Sequence, residues 1–389
     1  MNTGFPRSAR LGLMGLLTLA LGACAAEPAS VEPGSVESAS AEPSGAPALR
    51  SQATLPSEWI KGIDVSEARG AEAAGATFKD RNGVVKPALQ LVKDHQYNWV
   101  RVRLMVDPDG KYGLLQDLPY VKAVMKDAKG RGLKVLLDLH YSHWWADPGN
   151  QWTPARWAGQ DVTALSSSVY AYTKDVISQL RAQGTAPDMV QIGNEINGGL
   201  LWEAGRIANM ANFVKLSNAG ATAVRDASGG NASMPPIMMH IAKTGDAAQT
   251  VAWYRAFIAA GGWVDVIGLS YYPMWHGDFA NLSSTVAALR SNFSWAKVYL
   301  AETASYWETN QVGYSGLPYP QTQQGQSDYL RALTPVVRNA GGSGIFYWGA
   351  FWSQSTRWLN APGWTDDDAS RRSLFDDQGR ATLAIDGLN

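Results

Sequence analysis

Eight times between Trp59 and Trp352 a short aliphatic or β-branched run gives way to a longer amphipathic segment, and no other feature of the chain limits its possible folds so strongly. The strand-like runs are Ile60–Val65, Asn98–Leu104, Lys134–Leu139, Met189–Ile192, Pro236–Ile241, Val264–Ser270, Val298–Ala301 and Gly344–Tyr347. Between them, helical period is clearest over Lys86–Asp94, Pro119–Arg131, Ser168–Gln183 and Gln326–Asn339. Leu136-Leu137 and Val266-Ile267-Gly268-Leu269 are apolar at successive positions, as strands covered on both faces must be. Such alternation builds either an open doubly wound sheet or a closed barrel, and the Gly-rich fingerprint of the first does not follow the first strand here. The expected fold class is therefore α/β, a (β/α)8 TIM barrel forming a single domain over residues 56–389.

In such a barrel chemistry belongs to the loops after the strands. Strand 1 delivers Asp64, and strand 2 carries Arg101 and Arg103 on one face. Strand 3 runs into His140-Tyr141-Ser142-His143-Trp144-Trp145-Ala146-Asp147, strand 4 ends at Asn194-Glu195, and strand 5 ends at His240. Strand 6 ends in Tyr271-Tyr272-Pro273-Met274-Trp275-His276, strand 7 in Glu302, and strand 8 in Tyr347-Trp348-Gly349-Ala350. Glu195 and Glu302 lie 107 residues apart, three strand-plus-helix units, so the barrel brings both to one mouth. Two carboxylates facing each other over a pocket are what glycosidic bond cleavage requires.

The expected division of labour follows from environment. Glu195 is the general acid, later the base, kept protonated by partial burial and a neighbouring carboxylate. Glu302 stays ionised, supported by Arg101 or Arg103 and by a hydroxyl of Tyr271 or Tyr272, and attacks the anomeric carbon. Asn194 is placed to hydrogen-bond the 2-hydroxyl of the reacting sugar. His140, His143, His240 and His276 are expected to hydrogen-bond sugar hydroxyls or a catalytic carboxylate, whereas His95 reads as a surface residue. The chain has 16 Trp, and Trp144, Trp275 and Trp348 stand at strand ends where an indole can stack on a pyranose ring. His140, His143 and Asp147 could ligate a metal, but their spacing matches no common zinc motif and Trp144 and Trp145 crowd it.

Ahead of the barrel, Arg7 and Arg10 precede an apolar run from Leu11 to Leu21, too short to span a bilayer, and then Leu21-Gly22-Ala23-Cys24. These last four residues resemble the lipobox of bacterial lipoproteins, and Cys24 is the only cysteine, so no intrachain disulfide can form. Residues 1–23 are expected to be an export signal, and residues 24–55 a lipidated, disordered Ala/Glu/Pro/Ser tether. The protein would then be anchored at the outer membrane or cell surface, a monomer meeting the membrane through its lipid alone. With a net charge of −1 the chain carries no field that would hold nucleic acid.

Longer blocks add a resemblance. Lys61-Gly62-Ile63-Asp64-Val65-Ser66, Val100-Arg101-Val102-Arg103, His140-Tyr141-Ser142 with Trp145-Ala146-Asp147-Pro148, and Pro187 through Asn197 resemble glycoside hydrolase family 53, the arabinogalactan endo-β-1,4-galactanases. Gly268 through Pro273 with Trp275-His276-Gly277, and Ala301-Glu302-Thr303-Ala304, extend the match. The resemblance implies a retaining barrel enzyme with Glu195 as acid/base and Glu302 as nucleophile. It also implies β-1,4-galactan of type I arabinogalactan as substrate and no required cofactor. Bacterial members often bind calcium after strands 7 and 8, and Asp366, Asp367 and Asp368 offer suitable oxygens. The chain departs from the family at His143, at Gly349-Ala350 in place of Glu-Pro, and at Tyr306-Trp307, positions read as lining or bordering the cleft. Those departures leave open another retaining barrel glycosidase, a mannanase or xylanase, and beside it a non-catalytic glycan-binding lipoprotein.

Overall fold

The structure, a computed structural model, describes residues 50–111, 113–309, 317–352 and 371–389. Eight parallel strands close into a barrel: β1 Ile60–Asp64, β2 Trp99–Leu104, β3 Lys134–Leu139, β4 Met189–Ile192, β5 Ile237–Ile241, β6 Val266–Tyr271, β7 Lys297–Thr303 and β8 Gly344–Tyr347, with β8 pairing back onto β1. Around them run α1 Ala68–Ala73, α2 Ala88–Asp94, α3 Leu118–Gly130, α4 Val162–Ala182, α5 Met210–Ser228, α6 Ala247–Ala259, α7 Pro273–His276, α8 Phe279–Asn292 and α9 Gln323–Asn339. The expected barrel is present, with strand ends within two residues of those read from sequence.

Short polar residues start the long helices. Asp117, Asp161, Asn209, Asp246, Asp278 and Thr322 each accept a backbone N–H from the first turn of α3, α4, α5, α6, α8 and α9. For α4 the cap overrides the periodic signal: Asp161 accepts from Thr163 at 2.9 Å and Ala164 at 2.8 Å, so the helix starts at Val162, ahead of the expected Ser168.

The core has two layers. Ile60, Trp99, Leu136, Met189, Met238, Val266, Tyr299 and Phe346 fill the lower barrel interior, while Val100, Val102, Leu137, Val190 and Leu300 pack outward in the larger cluster that includes helix residues. A Cβ on Gly62 would lie 2.2 Å from the Phe346 ring, so only glycine lets that ring into the barrel. Above the apolar floor the interior turns polar, with Asp64, Arg101, Asp138, Gln191, His240, Ser270 and Glu302 all buried.

One irregularity positions the site. Leu269 of β6 pairs with Leu300 of β7, but the next residue, Ser270, pairs with Glu302. Ala301 is the extra residue of a bulge and packs into the inner cluster with Tyr299. Plain alternation would have sent Glu302 outward. The bulge turns it back into the barrel.

Two local expectations change. His95 is partly buried, its Nδ1 2.6 Å from the Asp386 carboxylate, and so ties the end of α2 to the C-terminal segment. Residues 50–55, read as tether, already meet the barrel: Ser51 N–H donates to Asp265 and Leu55 packs against the inner cluster. Cys24, residues 1–49 and Asp366–Asp368 lie outside the described residues.

Candidate active site

At the carboxyl ends of the strands a cavity of about 800 Å³ opens above the polar layer, with Glu195 and Glu302 both in its wall. The turn that carries Glu195 is held from several sides. Gly193 N–H donates to Leu139 O at 2.9 Å, Ile196 N–H to His240 O at 2.9 Å, and the buried Gln151 amide to Asn194 O at 2.8 Å. Glu195 itself has φ 48°, a left-handed conformation that costs on the order of 1 kcal/mol and persists only where neighbours enforce it.

The two carboxyls meet different company. Glu302 Oε1 lies 3.0 Å from Arg101 Nη1, and Oε2 accepts from the Tyr272 hydroxyl at 2.9 Å. Glu195 pairs with no cation among the described residues; its Oε1 accepts from the Ser270 hydroxyl at 2.5 Å. Burial first, and the nearby Glu302 second, push Glu195 up to about 8. Burial also pushes Glu302 up, but the Arg101 charge and the Tyr272 hydrogen bond oppose it. Glu302 is therefore the partner that ionises first, and near neutrality the pair shares one proton held mainly by Glu195.

Arg101 organises the layer beneath. Its guanidinium also donates to Asp64 at 3.0 Å, Asp138 at 2.7 Å, Asn194 Oδ1 at 2.7 Å and Gln191 Oε1 at 3.2 Å. Burial works against its charge, yet Asp138, Glu302 and Asp64 together hold it cationic. His240 is neutral, driven well below its usual range by burial and then by Arg101. His276, lowered to about 4 by burial, is neutral too, and its Nδ1 accepts from Tyr272 N–H at 2.9 Å.

Of the residues expected to bind substrate, Asn194, Arg103, His140, Trp144, Tyr272, Trp275, His276 and Trp348 line the cavity. Asp64, Arg101 and His240 do not; they are buried below it and act on the carboxyls and on Asn194. Tyr271 is corrected outright. Strand alternation points it away from the barrel interior, where its ring lies 6.2 Å from Phe279 and its hydroxyl donates to Gly277 O. The support of Glu302 thus falls to Arg101 and Tyr272, while Arg103 pairs with Glu67 and stacks 4.3 Å from the Trp145 ring.

Residues not singled out by sequence also shape the site. Trp145 and Trp352 join Trp348 in a wall of indoles with centroids 4.9 to 6.4 Å apart. Asp138 was detectable as the only charge within the aliphatic run Val135–Leu139, and it lies 2.9 Å from His140 Nδ1. Ser270 was detectable as the residue two before Tyr272 and hence on its face.

The departures at His143, Tyr306, Trp307, Gly349 and Ala350 do not line the cavity. Gly349 has φ 76°, and a Cβ there would lie 2.8 Å from Arg372 Cδ. Ala350 O accepts from Leu374 N–H and Ser373 Oγ. This turn thus seats a C-terminal segment whose Arg372 does reach the cavity, 4.9 Å above Trp348. Among the described residues no three His, Cys, Asp or Glu side chains cluster as a metal site, and the Asp147 carboxylate is taken up by Gly149 and Asn150. One protonated and one ionised carboxyl across a tryptophan-lined cavity can donate a proton on one side of a bond and supply a nucleophile or base on the other.

The chain is similar to known proteins over nearly all of its barrel. Residues 60–388 match the family model described as glycosyl hydrolase family 53. A probable arabinogalactan endo-β-1,4-galactanase A of Aspergillus terreus is 36% identical over 312 residues, covering 76% of this chain and 86% of the relative. An arabinogalactan endo-β-1,4-galactanase of Cellvibrio japonicus is 33% identical over 335 residues, covering 80% and 87%. The solved GH53 catalytic domain of Ignisphaera aggregans superposes with TM-score 0.78 at 34% identity, covering 86% of this chain and 96% of that one.

Proposed function

The chain belongs to glycosyl hydrolase family 53 and is a glycoside hydrolase, and from that premise we propose that it cleaves internal β-1,4 bonds of galactan in type I arabinogalactan, with retention of configuration. The observation that carries the mechanism is the unlike company of the two carboxyls: Glu302 between Arg101 and Tyr272, Glu195 on Ser270. Glu302 attacks the anomeric carbon while Glu195 gives its proton to the departing glycosidic oxygen. In the second half Glu195 takes a proton from water, which displaces Glu302 from the same carbon. Asn194, held by Arg101, stands beside the acid for the 2-hydroxyl, and the indole wall offers stacking faces.

The test is reducing-sugar release by the full chain from debranched galactan, galactomannan, xylan and cellulose, with the first-formed anomer followed by proton NMR. Release from galactan with the β-anomer appearing first is expected. Release from another glycan would move the substrate, and an α-anomer first would replace the nucleophile with a base.

Export and lipidation at Cys24 are proposed from Leu21-Gly22-Ala23-Cys24, with the anchor at the outer membrane or cell surface. Labelled palmitate should enter the membrane-bound chain and be lost from the Cys24→Ser protein; label retained in that variant would remove the anchor.

A further inference from the structure

A carboxylic acid has two oxygens, and only one orientation of its proton is useful. Glu195 Oε2 has no hydrogen-bond partner among the described residues, and Glu195 lines the cavity, whereas Oε1 is held 2.5 Å from Ser270 Oγ. If Ser270 donates to Oε1, the proton of Glu195 must ride on Oε2, where a glycosidic oxygen can take it. If Ser270 spends its one hydrogen elsewhere, Oε1 carries the proton into Ser270 and away from substrate.

The other claim on the Ser270 hydrogen comes from His240. Its Nε2 lies 2.9 Å from Ser270 Oγ, and a neutral imidazole has a single N–H. With that hydrogen on Nε2, His240 donates to Ser270 and forces the hydroxyl toward Glu195. With it on Nδ1, Ser270 is free to turn to Nε2. The far side of the ring does not decide: Nδ1 faces an acceptor, Asn194 Oδ1 at 3.0 Å, and a donor, Gln191 Nε2 at 3.1 Å. The Gln191 amide has other acceptors in Asp138 Oδ1 and Gly193 O, each at 2.9 Å, so it suits either tautomer. The decision rests with the Glu195 end.

We propose that Ser270 and His240 are positioning residues forming a tautomer lock, in which His240 Nε2–H and the Ser270 hydroxyl together keep the catalytic proton on the cavity-facing oxygen of Glu195. The proposal rests on the reading of Glu195 as the acid. No proton crosses the lock. As the bond from the anomeric carbon to the glycosidic oxygen breaks, its electron pair goes to that oxygen, which takes the Oε2 proton. Glu195 is left anionic, with the Ser270 hydrogen still on Oε1, and the incoming water later returns a proton to Oε2. The groups that act on Glu195 are Glu302, Asp147 and Arg101, and those on His240 are Arg101, Asp138 and His140.

The test compares Ser270→Ala, His240→Leu and His240→Gln with Glu195→Ala, on galactan and on 2,4-dinitrophenyl β-galactobioside, whose leaving group needs no proton. Ser270→Ala and His240→Leu should lose roughly 10- to 100-fold in kcat on galactan and far less on the activated substrate, with KM little changed. His240→Gln, which keeps an N–H toward Ser270, should recover much of the loss. The basic limb of kcat/KM, near 8 in the parent by the Glu195 value, should move upward in Ser270→Ala, because the lost hydrogen bond had favoured the ionised form. Spectra of ¹⁵N-histidine protein, with His240 assigned by its absence from His240→Leu, should show Nε2–H both below that limb, where Glu195 holds its proton, and above it. Equal losses on both substrates with an unmoved limb, parental kcat in Ser270→Ala, or Nδ1–H on either side of the limb would each overturn the lock. If Glu195→Ala itself fails to discriminate between the substrates in kcat/KM, which reports the step that needs the acid, the acid assignment falls instead.

Discussion

The Glu302→Ala protein should lose about 10⁴- to 10⁶-fold in kcat on galactan without losing its fold, since removing one member of a catalytic unit forfeits nearly the whole enhancement of that unit. The structure says why folding survives. Arg101 keeps Asp64, Asp138, Asn194 and Gln191 as partners when Glu302 is gone. Three buried carboxylates share that one guanidinium, so the substitution relieves a surplus of negative charge rather than stranding a cation. Thermal unfolding of the variant should therefore match the parent or lie above it. Azide, a nucleophile small enough for the vacated space, should enter from the Glu302 side and yield the α-galactosyl azide from an activated galactoside. Glu195→Ala should instead trap the covalent intermediate and yield the β-azide. Activity of Glu302→Ala within tenfold of the parent on galactan would sink the nucleophile assignment.

The second large effect is on stability. Arg101→Met should cost about 3–5 kcal/mol at neutral pH, the usual penalty for breaking a buried charge network by removing one partner. Arg101 is 1% exposed, and its three carboxylate partners Asp64, Asp138 and Glu302 are 1%, 0% and 7% exposed at their side chains. In the parent, burial raises Asp138 more than any one neighbour lowers it, but Arg101 first and His140 after it together hold the acid below its ordinary range. Without the guanidinium the folded-state value of Asp138 rises above its unfolded one, and that of Glu302, already raised by burial, climbs further. Groups raised on folding contribute stability below the unfolded pKa and lose it as pH climbs through the folded one. The deficit against the parent should thus be small near pH 4 and widen toward neutrality, about the unfolded carboxylate range upward. Urea unfolding of both proteins at acidic and at neutral pH measures it. A deficit that is equal at both, or below about 1 kcal/mol at neutral pH, would mean that the network contributes little to folding.

Much of this could be read from the chain. The eight strands were legible because each is a short, largely aliphatic or β-branched run set between amphipathic segments, and the outward-facing positions of a helix-covered parallel strand must be apolar wherever it sits. Glu195, Glu302 and Asn194 were legible because they end such runs, and a barrel gathers the ends of its strands at one mouth. The resemblance to the family carried the substrate class, which no periodicity contains.

What failed to show in the sequence was depth and direction. Arg101 and Arg103 share one face of β2, so pattern could not say which supports Glu302. Height along the strand separates them, with Arg101 among Asp64, Asp138 and Gln191, and Arg103, two residues nearer the mouth, against Glu67 and Trp145. Tyr271 and Tyr272 are adjacent and equally aromatic, yet one ends β6 facing outward and the next, still extended, turns inward, which separates a helix contact from the nucleophile's hydroxyl partner. The start of the C-terminal segment supplies Arg372 to the cavity from far along the chain, through the seat that Gly349 and Ala350 provide. By itself the sequence determined that eight parallel strands would close and that two glutamates would reach the same end, because period and burial are local properties of a run. Only the tertiary structure decided that a bulge at Ala301 would turn Glu302 inward and that Ser270 would meet one carboxyl while Arg101 met the other, because register and distance across a barrel are set by the closure of all eight strands together.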